Sequence, residues 1–199
     1  MSVTLIAGLG NPGKDYDGSR HNLGFALVDA LAAAKGLKWK NENRFESSVA
    51  RWDVRLGVTR LLIKPQTYMN DSGRALRAMV DFYQVQVDEL VVAYDDLTID
   101  LGLAKVSVRG SAGGHNGVAS LLEHLGSGFI RYRLGVGVPR PAAMDIKDFV
   151  LAKFSPEESH IIDQQLNIFV EGLCLLIDSG VDQAMNTLNR RDRNESDLP

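Results

Sequence analysis

Residues 3–24, VTLIAGLGNPGKDYDGSRHNLG, constrain the fold of this chain more than any other stretch. Residues 3–7 are a short apolar, β-favouring run with the length of a buried strand. Gly8, Gly10 and Gly13 interrupt it at a spacing that lets the backbone turn tightly and approach another group closely. A polar loop follows and ends in Arg20-His21-Asn22. A helical pattern then opens at Leu23, with Asn22 at the N-cap position. Strand, loop and helix in that order form the unit of α/β folds, whose open sheets place ligands where strands end. The loop carries an amide at Asn11 and an imidazole at His21, so chemistry is expected there. The glycines also spell G-x-G-x-x-G. A dinucleotide site, however, needs a helix opening inside the glycine turn, so that its N-terminus meets a pyrophosphate. Here Pro12 and the polar residues 14–21 intervene, and Asp29, at roughly the spacing of a ribose-binding acid, lies inside the helical pattern. The match is read as accidental.

The 199 residues suffice for one domain with a sizeable core, and 45% hydrophobic with 24% charged residues is ordinary globular composition. No apolar run approaches the ~20 residues of a membrane span. The N-terminus has no basic start followed by an apolar leader core. A cytoplasmic protein without membrane association is expected. Cys174, the one cysteine, lies in the apolar run 168–177 and reads as a small core residue with no disulfide partner. A net charge of −3 argues against indiscriminate nucleic-acid binding. A local basic face stays open, because Arg20, Lys105, Arg109, Arg131, Arg133 and Arg140 lie on segments that could converge. Charge alone favours a solvated surface.

Residues 23–35 carry an apolar stripe at helical spacing, stopped by Gly36. Residues 47–55 and 59–64 read as strands around a turn at Leu56-Gly57. After Pro65 the loop 66–70 leads to a helix over 73–83, capped by Asp71 or Ser72. A buried-type strand, 90–94, runs into Asp95-Asp96. Residues 103–109 alternate like a half-exposed strand. A second glycine-rich loop, 110–117, precedes a helix over 118–125, and 131–138 is a further strand closed by Pro139 and Pro141. One short helix is expected within 144–154, a long one from Pro156 to about 179, and a last one over 181–188. Strands alternate with helices early and helices gather at the end. This describes one α/β domain over residues 1–190 with a flexible tail at 191–199.

Four loops share one feature: each follows a strand-like run and ends in a side chain capable of chemistry, namely Asn11 then His21, Asn70, Asp95 and Asn116. Taken singly, each reads equally well as a turn former, helix cap or strand terminator. As a set gathered along one sheet edge they describe hydrolysis of an ester or amide by activated water. Histidine takes a proton near neutrality. A carboxylate on its other nitrogen fixes the tautomer and stabilises the imidazolium. Carboxamides donate to a carbonyl oxygen gaining charge and also accept from a peptide. Other chemistries fit less well. Residues 109–113 lack the first glycine of a G-x-S-x-G elbow, and Cys174 sits in no polar loop. His21, His115, His124 and His160 form no H-E-x-x-H pair, so no metal site is expected. Asp95-Asp96 lacks an accompanying phosphate-binding loop.

Five segments together carry a resemblance: 8–13 (GLGNPG), Tyr16 with 20–22 (RHN), 64–73 (KPQTYMNDSG), 94–97 (YDDL) and 110–117 (GSAGGHNG). In this order they resemble the bacterial peptidyl-tRNA hydrolase family. The resemblance implies an α/β fold, a single domain with a twisted mixed β-sheet flanked by helices on both faces, mostly monomeric and cytoplasmic. It also implies hydrolysis of the ester between a peptide and the 3′ end of tRNA, with no metal or organic cofactor. By motif, His21 looks like the general base and Asp95 like its partner. Asn11 resembles the residue that tells N-blocked substrate from free aminoacyl-tRNA. Asn70 and Asn116 look like amides gripping the substrate near the ester, and Tyr16 and Tyr68 like substrate-contacting aromatics. Lys105 and Arg133 fit positions facing tRNA phosphates, contacts that need no overall positive charge. Ser107 and Val138 replace polar or basic residues common in relatives, which bears on tRNA affinity rather than on the chemistry. Ser19 keeps the hydroxyl of the usual threonine. Two other function classes are separable by experiment. A non-catalytic RNA-binding protein on the same fold would release no tRNA, and a nucleotide-dependent oxidoreductase would show quenching of Trp39 or Trp52 fluorescence by NADH. On this reading His21→Ala loses nearly all turnover while tRNA binding persists, and Asp95→Asn loses less.

Overall fold

The first strand forms where the sequence is most apolar, and it becomes the centre of one sheet. The computed structural model describes residues 2–138 and 144–190; Pro139, Arg140, Pro141 and the tail 191–199 lie outside the described residues. In chain order the strands are β1 (Ser2–Gly8), β2 (Trp39–Glu42), β3 (Ser47–Arg55), β4 (Val58–Pro65), β5 (Leu90–Asp96), β6 (Ala104–Ser107) and β7 (Ile130–Gly135). The helices are α1 (Leu23–Ala34), α2 (Ser72–Tyr83), α3 (Asn116–Leu125), α4 (Ile146–Leu151), α5 (Pro156–Ser179) and α6 (Val181–Leu188). The seven strands lie in the order β2-β3-β4-β1-β5-β7-β6. The central four are parallel, while β3 on β4, β2 on β3 and β6 on β7 pair antiparallel, so the sheet is mixed.

Strand periodicity divides the core in two. Leu5 and Ala7 point to one face and pack with Leu76 and Met79 of α2 and Val118 and Leu121 of α3. Ile6 points to the other and packs with Leu27 and Leu31 of α1 and Phe169 and Leu173 of α5. Burial on both faces explains why the central strands read as continuous apolar runs. β2 is a short edge strand of half-exposed polar residues that carries no such signal.

The glycines of the first turn are used for packing. A Cβ on Gly8 would overlap the carbonyl of Gly24, and one on Gly24 would sit 2.6 Å from the backbone of Leu9. The pair lets α1 lie directly on the end of β1. Gly13, at φ +107°, takes the chain out through a conformation L side chains rarely adopt. These glycines serve helix–strand contact rather than a pyrophosphate.

α5 begins with Pro156 behind a capping box made by Ser155 and Glu158. By length and apolar composition alone it is a helix able to cross a membrane, which no run read from the sequence suggested. In the fold it lays Ile162, Phe169, Leu173 and Leu176 on the sheet, and the Tyr132 hydroxyl donates to the Phe169 carbonyl at 2.8 Å. Its apolar stripe is core.

Candidate active site

The parallel order β4-β1-β5 brings the loops after these strands together, and with them Asn11, His21, Asn70 and Asp95. Asn116 reaches the same place by another route. β6 runs against β7, and Ser107 pairs with Arg131, which lies level with Val92, three positions short of Asp95 on β5. The end of β6 thus points away from the site, and residues 108–115 carry the chain back. Arg131 holds that return: its guanidinium donates to the carbonyls of Ser111 at 2.7 Å and Gly110 at 2.5 Å. All five residues line one cavity of about 710 Å³, with Tyr16 and Tyr68 at its side and α4 contributing Ile146, Val150 and Leu151.

At the centre, Asp95 closes β5 with only 3% of its surface exposed. His21 stands in the 3-10 turn Arg20–Asn22 that joins the first loop to α1. Its Nδ1 donates to Asp95 Oδ1 at 2.9 Å and lies 3.1 Å from Oδ2. The carboxylate therefore holds the proton on Nδ1 and leaves the lone pair on Nε2, on a ring that lines the cavity.

A second imidazole completes the arrangement. His115 is the N-cap of α3, and its Nδ1 accepts from the backbone N–H of Gly117 at 3.1 Å and Val118 at 3.3 Å. Because Nδ1 is an acceptor, Nε2 carries the proton, and it donates to Asp95 Oδ1 at 3.0 Å. The two rings lie 4.6 Å apart, and Tyr94 packs edge-on against His115. Burial alone would raise the Asp95 pKa. Interaction with His115 and His21 outweighs it and holds the carboxyl well below the usual carboxylate range.

His21, Asp95 and His115 also have the composition of a metal triad, with ligand atoms within 4.8 Å of one another. Their hydrogen bonds oppose that use. A metal would have to displace the proton from both nitrogens facing Asp95 and break the cap His115 gives to α3. The donor set fits a proton network better than an ion.

Asn11 is 7% exposed and fixed at every other atom. Its Oδ1 accepts the backbone N–H of Met69 at 2.7 Å. Its own N–H donates to Asn22 Oδ1 at 2.8 Å, and Asn22 Nδ2 returns a bond to the Asn11 carbonyl at 3.0 Å. A backbone N–H can only donate, so the amide orientation is determined and its NH₂ group is left for the cavity. Asn22 occupies the N-cap position of α1 without capping it, its side chain being spent on Asn11.

Tyr68, 62% exposed, meets Tyr16 edge-on with centroids 6.4 Å apart, and Asn70 and Asn116 are exposed beside them. The expected basic residues divide. Arg20 and Arg131 are buried and bonded internally. Arg133 donates to Asp96 Oδ2 at 2.8 Å and to Thr98 Oγ1 at 3.0 Å, so its charge is partly matched. Lys105 stands opposite it on β6, and Arg109 is exposed at the cavity. Arg140 lies outside the described residues. Sequence reasoning missed His115 and Asn22 as site residues. For His115 the available signal was a side-chain acceptor directly before a helical run.

Comparison with known proteins is consistent with this geometry. Residues 5–196 match the family model described as peptidyl-tRNA hydrolase. A peptidyl-tRNA hydrolase of Carboxydothermus hydrogenoformans is 44% identical over 186 residues, covering 94% of this chain and 98% of the relative. One from Synechocystis is 42% identical over 193 residues, covering 96% and 98%. The crystal structure of peptidyl-tRNA hydrolase from Acinetobacter baumannii superposes with a TM-score of 0.86 at 35% identity, over 94% of both chains. The chain belongs to the peptidyl-tRNA hydrolase family.

Proposed function

We propose that His21, Asp95 and Asn11 carry out on this chain the reaction of its family, hydrolysis of the ester joining a peptide to the 3′ end of tRNA. The observation that carries the assignment is the Asp95 carboxylate held between two imidazole N–H groups, which leaves His21 Nε2 as the acceptor facing the cavity. Nε2 takes a proton from water as the water oxygen bonds to the ester carbon. The carbonyl oxygen gains the negative charge, which the side-chain amides lining the cavity can meet as donors. Asp95 stabilises the imidazolium. On collapse the bond to the ribose oxygen breaks. That oxygen takes the proton from His21, releasing tRNA with a free hydroxyl and a peptide with a carboxylic acid, which gives its proton to solvent and becomes a carboxylate.

Asn11 also supports discrimination of N-blocked substrates. Its NH₂ meets the acyl carbonyl of a blocked amino acid with a hydrogen bond. A free aminoacyl group presents an ammonium there, which has only donors and leaves Asn11 unmatched. Asn70 and Asn116 fit the peptide or the terminal nucleotide, and Tyr16 and Tyr68 offer faces for stacking at the mouth. Lys105 and Arg133 fit the tRNA phosphates. A cytoplasmic monomer working without membrane or cofactor suits this reading.

The test is release of tRNA from N-acetylaminoacyl-tRNA and from free aminoacyl-tRNA, each with chelator present. The reading expects rapid release from the first and little from the second. Equal release from both removes the role of Asn11, and no release from either removes the ester reaction.

A further inference from the structure

Arg20 precedes His21 and was counted in the sequence among surface cations, yet it is 6% exposed. Its NH1 donates to the carbonyls of Phe149 at 3.3 Å, Ala152 at 3.3 Å and Lys153 at 3.0 Å. NH2 pairs with Glu158 Oε2 at 2.5 Å. The guanidinium lies over the rings of Phe149 at 4.1 Å and Phe154 at 5.1 Å. The backbone repeats the link: Arg20 N–H donates to the Ala152 carbonyl at 3.2 Å, and Ser19 bridges Lys153. One arginine thus gathers the C-terminal carbonyls of α4, the start of α5 and the turn that holds His21.

The arrangement costs more than stability alone would justify. Burying a guanidinium is expensive unless it is paired and fully bonded, and Arg20 Nε has no hydrogen-bond partner among the described residues. An apolar side chain would fill the space between Phe149 and Phe154 without that cost. What the fork supplies is position. α4 turns Phe149 towards Arg20 and presents Ile146, Val150 and Leu151 to the cavity, so the Arg20 side chain ties this wall to the His21 turn beside the backbone links and the core packing of Phe149 and Val150. Lysine cannot imitate it, because a point charge on a flexible stem has no planar fork.

We propose that Arg20 is a positioning residue that holds the α4 wall at a set distance from the His21 turn and thereby sets substrate affinity. It touches no reacting atom. The wall meets groups that are bound alike in ground and transition states, so its displacement acts on KM rather than on kcat. The KM readout rests on the ester reading given above; the mobility readout does not.

The experiment compares Arg20→Met and Arg20→Lys with the unaltered chain, using steady-state hydrolysis of N-acetylaminoacyl-tRNA and amide hydrogen exchange. Arg20→Met is expected to raise KM about tenfold with kcat within about threefold, and to speed exchange in residues 149–153 while α2 keeps its protection. Should Arg20→Met not fold, Arg20→Lys carries the test, since it keeps a cation for Glu158 and loses the fork to three carbonyls. Unchanged KM with unchanged exchange in that segment overturns the proposal. So does a uniform rise in exchange across the sheet, which is the mark of a purely structural arginine. Local loosening in a chain whose unaltered form releases no tRNA leaves the positioning role standing and refutes the ester reading instead.

Discussion

Asp95 accepts from two imidazoles at once, and this changes what its substitution does. From the sequence, Asp95→Asn loses less activity than His21→Ala. With His115 Nε2–H fixed by the helix cap, the carbonyl oxygen of an asparagine at 95 is held at the Oδ1 place, and its NH₂ takes the Oδ2 place, 3.1 Å from His21 Nδ1. Its NH₂ then faces His21 Nδ1 and drives the proton to Nε2, the atom that must be bare. We expect Asp95→Asn to lose roughly 10³–10⁴-fold in kcat, close to the loss in His21→Ala, as measured by single-turnover cleavage. The same carboxylate shapes acid stability. Its folded pKa lies below the unfolded value, so its contribution is complete above about pH 4 and is lost as pH falls towards the folded value. Urea unfolding between pH 6 and 3 should show stability falling with acid in the unaltered chain and a flatter acid limb in Asp95→Asn. An unchanged limb would show that Asp95 does not gain from its neighbours.

Among elements, α3 and the first turn tie fold to site. His115→Ala removes the cap of α3 and one donor to Asp95 together. It should cost about 0.5–2 kcal/mol of stability and lower kcat about tenfold, read by thermal unfolding and turnover on the same preparation. Gly24→Ala should fail differently. Its Cβ meets backbone of Leu9, just after β1, and of Ala93 on β5 that cannot move aside, and overpacking of this kind costs about 1–3 kcal/mol, or roughly 2–10 °C in Tm. These elements were unequally legible. The central strands and long helices followed from their apolar periodicity. β2 did not, because in the short edge strand Trp39-Lys40-Asn41-Glu42 only Trp39 packs against the core. The start of α3 was read at residue 118 rather than at Asn116, because histidine is an uncommon N-cap and its partners are backbone amides. The set of Asn11, His21, Asn70, Asp95 and Asn116 was legible as chemistry at loop ends. That Asn116 arrives through a return loop held by Arg131 depends on strand direction, which local sequence does not encode. The fates of Arg20 and Arg131 were hidden for a related reason: their partners are carbonyls up to 133 positions away in the chain.

At the scale of the whole molecule, a chain of net charge −3 is to handle a polyanion, so the attraction has to be local. Arg109 is exposed and lines the cavity together with Arg133, whereas the buried arginines are spent on architecture. We expect Arg109→Ala to weaken tRNA binding and to lower the slope of log affinity against log salt by about one unit or less, with kcat kept. Equal slopes for the two proteins would place the phosphates elsewhere. The central claim is that one imidazole, held by one carboxylate, takes the proton from water. Single-turnover release of tRNA from N-acetylaminoacyl-tRNA, measured for His21→Ala beside its affinity for the same substrate, tests it most directly. The account predicts binding close to that of the unaltered chain and cleavage slowed by roughly 10²–10⁴-fold. Cleavage at the unaltered rate would contradict it.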